Sequence, residues 1–270
     1  MNGKASTTLD LHRVLEQTWI DQIHFLEEVD STNEVALQQA RSTDTNLSEL
    51  FITENQRRGR GRGDNRWWSA AGALTFSVLL PELPLNQERI PQVSLTVGVA
   101  LCRALGPYVP EAELKIKWPN DVFLQQRKVS GVLIELPARR PPRLVIGVGV
   151  NVNNTIAQAP AAVRRSGTSL IDATGRQVDR TAVLIDCLTQ MARTMQMLLT
   201  DDPELPGEWR HYSLLTGQWL RLDVPHGEIT GTCQSIADDG SLVVKSDAPG
   251  TLGIQQTCGS GVVTEFRPVV

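Results

Sequence analysis

The sequence predicts an α+β protein in which helices flank a meandering β-sheet, followed by a small C-terminal SH3-like β-barrel. Three observations carry this. A length of 270 residues suits one large domain with an appendage. Apolar residues recur at helical spacing in some segments and form short Val-, Ile- and Leu-rich runs in others. From Gly217 onward the texture changes to short alternating runs separated by turn residues.

Leu11, Val14, Leu15 and Trp19 share helical spacing, so residues 9–20 predict a helix and 23–29 a strand. Ser31, with Glu34 three positions later, matches a capping box, and a helix is expected to start there. Residues 51–54 read as a short strand, 55–69 as a long loop rich in glycine and arginine, and 74–80 as a second strand. Residues 93–105 predict a buried helix. Runs at 114–118, 122–124, 129–136 and 144–150, separated by Pro, Asn, Asp, Gln and Arg, predict the meander. Helical spacing returns at 181–199 through Val183, Leu184, Leu188, Met191, Met195 and Leu198, and a short helix is expected at 206–215. The large domain is therefore 1–216. The second, 217–270, carries expected strands at 219–224, 228–236, 241–245, 252–257 and 262–266, with turns at 225–227 and 238–240, a density that fits a small barrel.

Hydrophobic residues at 41% and charged residues at 21% are ordinary globular usage. No apolar run approaches the roughly 18 residues a membrane span needs, and the polar N-terminus carries no secretory h-region, so a cytoplasmic location is expected. Cys102, Cys187, Cys233 and Cys258 are far apart with no Cys-x-x-Cys pair, which points to reduced, buried thiols rather than a metal site or disulfide framework. A net charge of −4 opposes nucleic-acid binding through the overall field. Yet Arg57, Arg58, Arg60, Arg62 and Arg66 fall within ten residues, a local site for a small anion.

Four motifs carry chemistry. In the stretch from Gln56 to Trp68, glycines let backbone approach a ligand while arginine forks offer bidentate donors to carboxylate or phosphate. So many like charges are expected to keep this loop mobile until an anion neutralises it; the plainer alternative is a solvated basic loop. In Lys115-Ile116-Lys117-Trp118-Pro119-Asn120-Asp121, the carboxylate of Asp121 suits Mg2+ or a ribose hydroxyl, although Pro-Asn-Asp is also ordinary turn chemistry. Lys128, followed by Gly131 on an apolar strand, reads either as surface decoration or as a cation pointing into a pocket beside a phosphate. Ile146-Gly147-Val148-Gly149-Val150-Asn151 is not a dinucleotide fingerprint, and its glycines inside a strand imply something packed close against the backbone.

In order, Ser31-Thr32-Asn33, then Gln56 with Gly59-Arg60-Gly61-Arg62 and Trp67, then Lys117-Trp118-Pro119-Asn120-Asp121, then residues 128–135 and 147–153 resemble biotin protein ligases over about residues 22–267. The resemblance implies a central mixed sheet with flanking helices, of class II synthetase-like type, and a barrel-like C-terminal domain. It implies a ligase that forms biotinyl-5′-AMP from biotin and ATP with Mg2+, then passes biotin to a lysine of a biotin carboxyl carrier protein or domain of a biotin-dependent carboxylase. By the same resemblance Ser31, Thr32 and Asn33 meet the biotin ring and its ureido group, with Gln56 along the same pocket. The segment Gly59, Arg60, Gly61 and Arg62 folds over biotin and the adenylate, both arginines holding carboxylate and phosphate oxygens. Trp67 packs near the adenine, Asn120 and Asp121 lie by the adenylate and its metal, Lys128 contacts the reacting carboxylate or α-phosphate, Gly131 admits biotin, and Asn151 lies near the nucleotide. Lys128, Arg60 and Arg62 are the expected catalytic groups and Asp121 the expected Mg2+ ligand.

The sequence departs from the family's Gly-Arg-Gly-Arg-x-Gly-Arg-x-Trp pattern, with Asp64 and Asn65 standing where its third glycine and third arginine fall. Regulatory members begin with a winged helix-turn-helix domain, and only about twenty residues precede Ile23, so neither a repressor role nor a DNA partner is expected; a homodimer is left open. A lipoate or octanoate ligase shares the scaffold, but Ser31-Thr32-Asn33 suits a polar ureido ring better than an acyl chain. A nucleic-acid-binding module is opposed by the net charge and by the single aromatic pair Trp67-Trp68. Every anion-handling motif precedes residue 154, so the C-terminal domain is expected to aid binding or docking and to supply no essential chemical group.

Overall fold

A computed structural model of the chain describes residues 8–85, 87–109, 113–137, 143–225 and 227–269. α1 (Leu11–Gln17) is capped by Asp10 and followed by β1 (Gln22–Val29). α2 (Thr32–Ser42) starts where the capping box predicts, but the box does not form: Ser31 is the N-cap residue and its side chain makes no capping bond. Gln56 Oε1 takes that role, accepting from the Thr32 amide at 2.8 Å. This is possible because β2 (Glu49–Gln56) runs longer than expected and delivers Gln56 to the helix start.

β3 (Leu74–Glu82) leads to α3 (Ile90–Leu105), buried almost all round as its composition requires, with Pro91 in the first turn where its missing N–H does no harm. The meander follows as β4 (Leu114–Lys117), β5 (Asp121–Leu124), β6 (Arg127–Glu135) and β7 (Arg143–Val150). The short helices α4 (Ala161–Ser166) and α5 (Leu170–Thr174) occupy a stretch the sequence left unassigned, before α6 (Arg180–Leu199) and α7 (Leu205–His211).

Among the described residues these strands form a seven-stranded sheet in the order β1-β2-β3-β7-β6-β5-β4. Only β1 and β2 pair in parallel, with α2 as their crossover; the other pairs are antiparallel, so the sheet is mixed as the resemblance implies. Alternation along β2 shows which helix covers which face: Leu50 and Ile52 join the core with α3 and α6, while Phe51 joins Ala36, Leu37 and Ala40 of α2. All eight residues of β7 are buried, between two covered faces.

The C-terminal strands β8 (Gln218–Val224), β9 (Gly227–Ile236), β10 (Leu242–Ser246), β11 (Gln255–Cys258) and β12 (Val262–Pro268) form a second, antiparallel sheet in the order β11-β10-β9-β8-β12, of the small SH3-like kind. β11 begins later than 252, because Leu252 sits in a turn at 76% exposure with no core face to join. The expected turn at 225–227 falls partly outside the described residues, at His226. Leu220, Leu222, Leu242 and Val244 share one buried cluster with α3 and α6, and Trp118 Nε1 donates to the Gly240 carbonyl at 3.0 Å. The second sheet is thereby docked beside the β4–β5 turn.

Candidate active site

A cleft of about 420 Å3 opens over the centre of the large sheet, within the usual range for a small-molecule site. Its uncharged polar end is built where α2 begins. Ser31, Thr32, Asn33 and Gln56 are all buried. Thr32 Oγ1 donates to Gln56 Oε1 at 3.1 Å, and Ser77 Oγ lies 2.8 Å from Thr32 Oγ1 and 2.5 Å from Asn33 Oδ1. Asn33 Nδ2 donates to Glu135 Oε2 at 2.9 Å. Hydrogen bonds among Thr32, Asn33, Gln56, Ser77 and Glu135 thus set the positions of the polar groups at this end.

The β7 glycines explain themselves here. A Cβ on Gly147 would sit 2.1 Å from Asn33 Oδ1, and one on Gly149 would sit 2.2 Å from Trp67 Cε2. The close packing expected against this strand is thus made by the chain's own cleft residues. Gly149→Ala is expected to dislodge the indole and lower stability by about 1–3 kcal/mol, as overpacking a fitted site does. Urea unfolding of the variant beside the wild type would check this.

The other end is cationic. The Arg-Gly loop is a tight hairpin, with the Gly61 amide donating to Asn65 O at 2.8 Å and the Trp67 amide to Gly59 O at 2.9 Å. Gly63 sits at φ 61° in its turn, and one departure from the family pattern serves that turn, with Asn65 Nδ2 donating to Arg62 O at 2.9 Å. In this hairpin three of the arginines are spread over separate partners. Arg57 pairs with Asp30 at 2.9 Å, Arg60 with Glu135 at 2.8 Å, and Arg62 Nη1 donates to the Gly261 carbonyl.

Lys128 Nζ lies 2.6 Å from Asp121 Oδ1 and 5.9 Å from the Trp67 ring centroid. Register places Asp121 opposite Gly131, where a Cβ would press on Lys128 Cε at 3.1 Å, so the glycine leaves the lysine its channel. Asn120 Nδ2 donates to Val132 O at 2.8 Å. Asn151 lines the cleft, but its amide is committed to the chain: Nδ2 donates to Thr168 O and Oδ1 accepts from Asn154 Nδ2, both at 3.0 Å.

Sequence reasoning left several contributors without a role. Lys117, quoted there only as part of a motif, lines the cleft, donates to Val263 O at 2.9 Å and lies 5.4 Å from the Phe266 centroid; burial lowers its pKa, Asp121 opposes this, and Lys128 adds to the lowering. A period of two across Leu114-Lys115-Ile116-Lys117 carried that signal, since it puts both lysines on the face opposite the buried leucine and isoleucine. Ser77 and Glu135 were overlooked, and Val262 and Val263 of β12 also line the cleft. Burial lowers the pKa of Arg62, against the pull of Asp121. The cleft is lined by Arg60, Arg62, Arg66, Lys117 and Lys128, with Asp121 against Lys128 and Glu135 against Arg60. The Trp67 indole N–H is buried there without a partner, a donor a ligand would satisfy.

A buried pocket of hydrogen-bonding side chains beside a crowd of cations suits an enzyme that holds a polar-ringed carboxylic acid against nucleotide phosphates, the class of ATP-dependent acid-activating ligases. The chain matches the Biotin/lipoate A/B protein ligase family over residues 25–152. It is 31% identical over 227 residues to the biotin--[acetyl-CoA-carboxylase] ligase of Mycobacterium tuberculosis, with 82% of each chain covered. It is 30% identical over 228 residues to the enzyme of the same name from Paracoccus denitrificans, covering 83% of this chain and 94% of that one. The solved biotin protein ligase from Aquifex aeolicus in complex with biotin and ATP matches with a TM-score of 0.76 at 28% identity, covering 92% of this chain and 100% of the other. The chain belongs to this ligase family, and within it to the biotin protein ligases.

Proposed function

We propose that the chain condenses biotin with ATP to biotinyl-5′-AMP and transfers the biotinyl group to a lysine of a biotin carboxyl carrier protein. The observation that carries this is the two-ended cleft: a buried hydrogen-bonding pocket at the start of α2, continuous with an end lined by Arg60, Arg62, Arg66, Lys117 and Lys128, where Asp121 holds Lys128 and Glu135 holds Arg60. Biotin's ring would enter the first end, meeting Ser31, Thr32, Asn33 and Gln56, and its carboxylate would reach the second.

Attack of that carboxylate on the α-phosphate breaks the bond to the β-phosphate and releases pyrophosphate. Two anions must approach for this, and positioned cations lower the repulsion while holding the reacting groups in line. Lys128 and Arg60 are the residues we assign to this field, Lys128 being kept in the cleft by Asp121, while Arg62 is assigned to holding the anionic adenylate once it has formed. Trp67, Asn120, Asp121 and Asn151 form the proposed nucleotide side. Mg2+, arriving with ATP, would screen its phosphates, and Asp121 is the lining carboxylate that would meet it; one protein carboxylate with phosphate oxygens is an ordinary Mg2+ arrangement. In the second half-reaction the carrier's amine attacks the acyl carbon, AMP leaves, and the amine sheds its proton.

The division into 1–216 and 217–270 is part of the same proposal, supported by the change of sheet, with the second domain closing the cleft edge through β12. A cytoplasmic setting is supported by four buried free cysteines, and among the described residues no helix is long and apolar enough to cross a membrane. The nucleic-acid reading loses support, since Arg60, Arg62 and Arg66 line a cleft and Arg57 and Arg60 pair with carboxylates. Mass spectrometry after incubation with biotin, ATP and Mg2+ is expected to find biotinyl-AMP on the protein. Pyrophosphate release with lipoate but not with biotin would overturn the proposal.

A further inference from the structure

We infer that Glu135 is a positioning residue that sets ligand selectivity by fixing which way round the Asn33 amide lies; this rests on the biotin reading above. In the sheet, Gly147 stands between Ser77 on β3 and Leu133 on β6. Asn33 lies across that glycine, with neighbours of opposite character at its two ends. Nδ2 faces two acceptors, Glu135 Oε2 at 2.9 Å and the Leu133 carbonyl at 3.4 Å, whereas Oδ1 faces the Ser77 hydroxyl at 2.5 Å. An ionised carboxylate has no proton to offer, so a flipped amide would set oxygen against oxygen at both contacts of that end. Glu135 therefore holds the Asn33 carbonyl oxygen toward Ser77 and the cleft.

An acceptor presented there suits a ring that carries N–H donors, as a ureido ring does. A dithiolane ring or plain acyl chain would leave it buried without a new partner, which disfavours binding. The same carboxylate also grips Arg60, through Oε1 to Nη2 at 2.8 Å and Oε2 to Nη1 at 3.1 Å. Arg60 is the proposed holder of the carboxylate tail, a group biotin and lipoate share. Loss through Arg60 should thus weaken both acids alike, and loss through Asn33 should weaken biotin alone.

The test is calorimetric titration of biotin and lipoic acid into the full-length wild type, Glu135→Gln, Asn33→Asp and the double variant, with urea unfolding as the check on folding. Glu135→Gln, nearly isosteric, is expected to weaken biotin roughly tenfold more than it weakens lipoic acid, the worth of a charge-assisted hydrogen bond. Asn33→Asp alone sets two carboxylates face to face and should weaken biotin more. Adding Glu135→Gln should recover most of that loss, because the glutamine amide donates to the substituted carboxylate, which still accepts from Ser77. An unchanged biotin-to-lipoate ratio in Glu135→Gln overturns the inference, as do additive losses in the double variant if Asn33→Asp folds. A wild type that takes lipoic acid and not biotin overturns the underlying reading instead.

Discussion

Replacing Lys128 by alanine is expected to slow adenylate formation about a hundredfold to thousandfold while leaving biotin affinity within about twofold, the pattern of a group that acts where charge builds in the transition state. Its position supports this. The ammonium stands 2.6 Å from Asp121, beside the Trp67 ring and across the cleft from the uncharged pocket of Thr32, Asn33 and Gln56. Removing it takes away one cation and also frees the Asp121 carboxylate in a cleft that must admit a triphosphate. Both consequences oppose the approach of ATP's phosphates, and neither touches the hydrogen bonds proposed for the biotin ring. Pyrophosphate release and biotin titration are the two measurements, and a binding loss as large as the rate loss would remove Lys128 from the assigned role.

What the sequence allowed one to read follows the range of the interactions involved. Strands and long helices were legible because hydrophobic periodicity is local: β7 announces itself through Val145, Ile146, Val148 and Val150, and α6 through its apolar stripe. Helices of six and five residues, α4 and α5, are too short to show a period. The same rule governs the site. Ser31-Thr32-Asn33 and the Arg-Gly loop are compact in sequence and stood out. The capping box misled because a local pattern cannot register Gln56, which reaches Thr32 from 24 residues away. Glu135 meets Asn33 across 102 residues, and Gly261 meets Arg62 across 199, so neither partner is marked by any spacing. The charge count along the loop was blind in the same way, since the carboxylates that pair with Arg57 and Arg60 lie elsewhere in the chain.

Arg62→Gly is expected to leave adenylate formation largely intact and to let the product escape. The loop is an ordered hairpin, so the arginine's task is not to order it from nothing. Its guanidinium is tied to the Gly261 carbonyl just before β12, and burial has already stripped it of much of its water, as the lowered pKa reflects. A partly desolvated cation that spans the gap between the loop and the C-terminal sheet is well placed to close the cleft over an anionic adenylate, and a guanidinium stays charged under such a shift. Glycine removes both the anion clamp and the tie across the gap. Loss of one charge-assisted clamp corresponds to roughly 1.5–3 kcal/mol, or about tenfold to hundredfold faster release of biotinyl-AMP. The freed mixed anhydride acylates any exposed amine it meets before water destroys it. The variant should therefore consume biotin and ATP at a rate near the wild type yet label a bystander such as serum albumin, visible on an avidin blot. A variant that releases no pyrophosphate and labels nothing would instead make Arg62 part of the chemical step, and retention would have to rest on Arg60 and Arg66 alone.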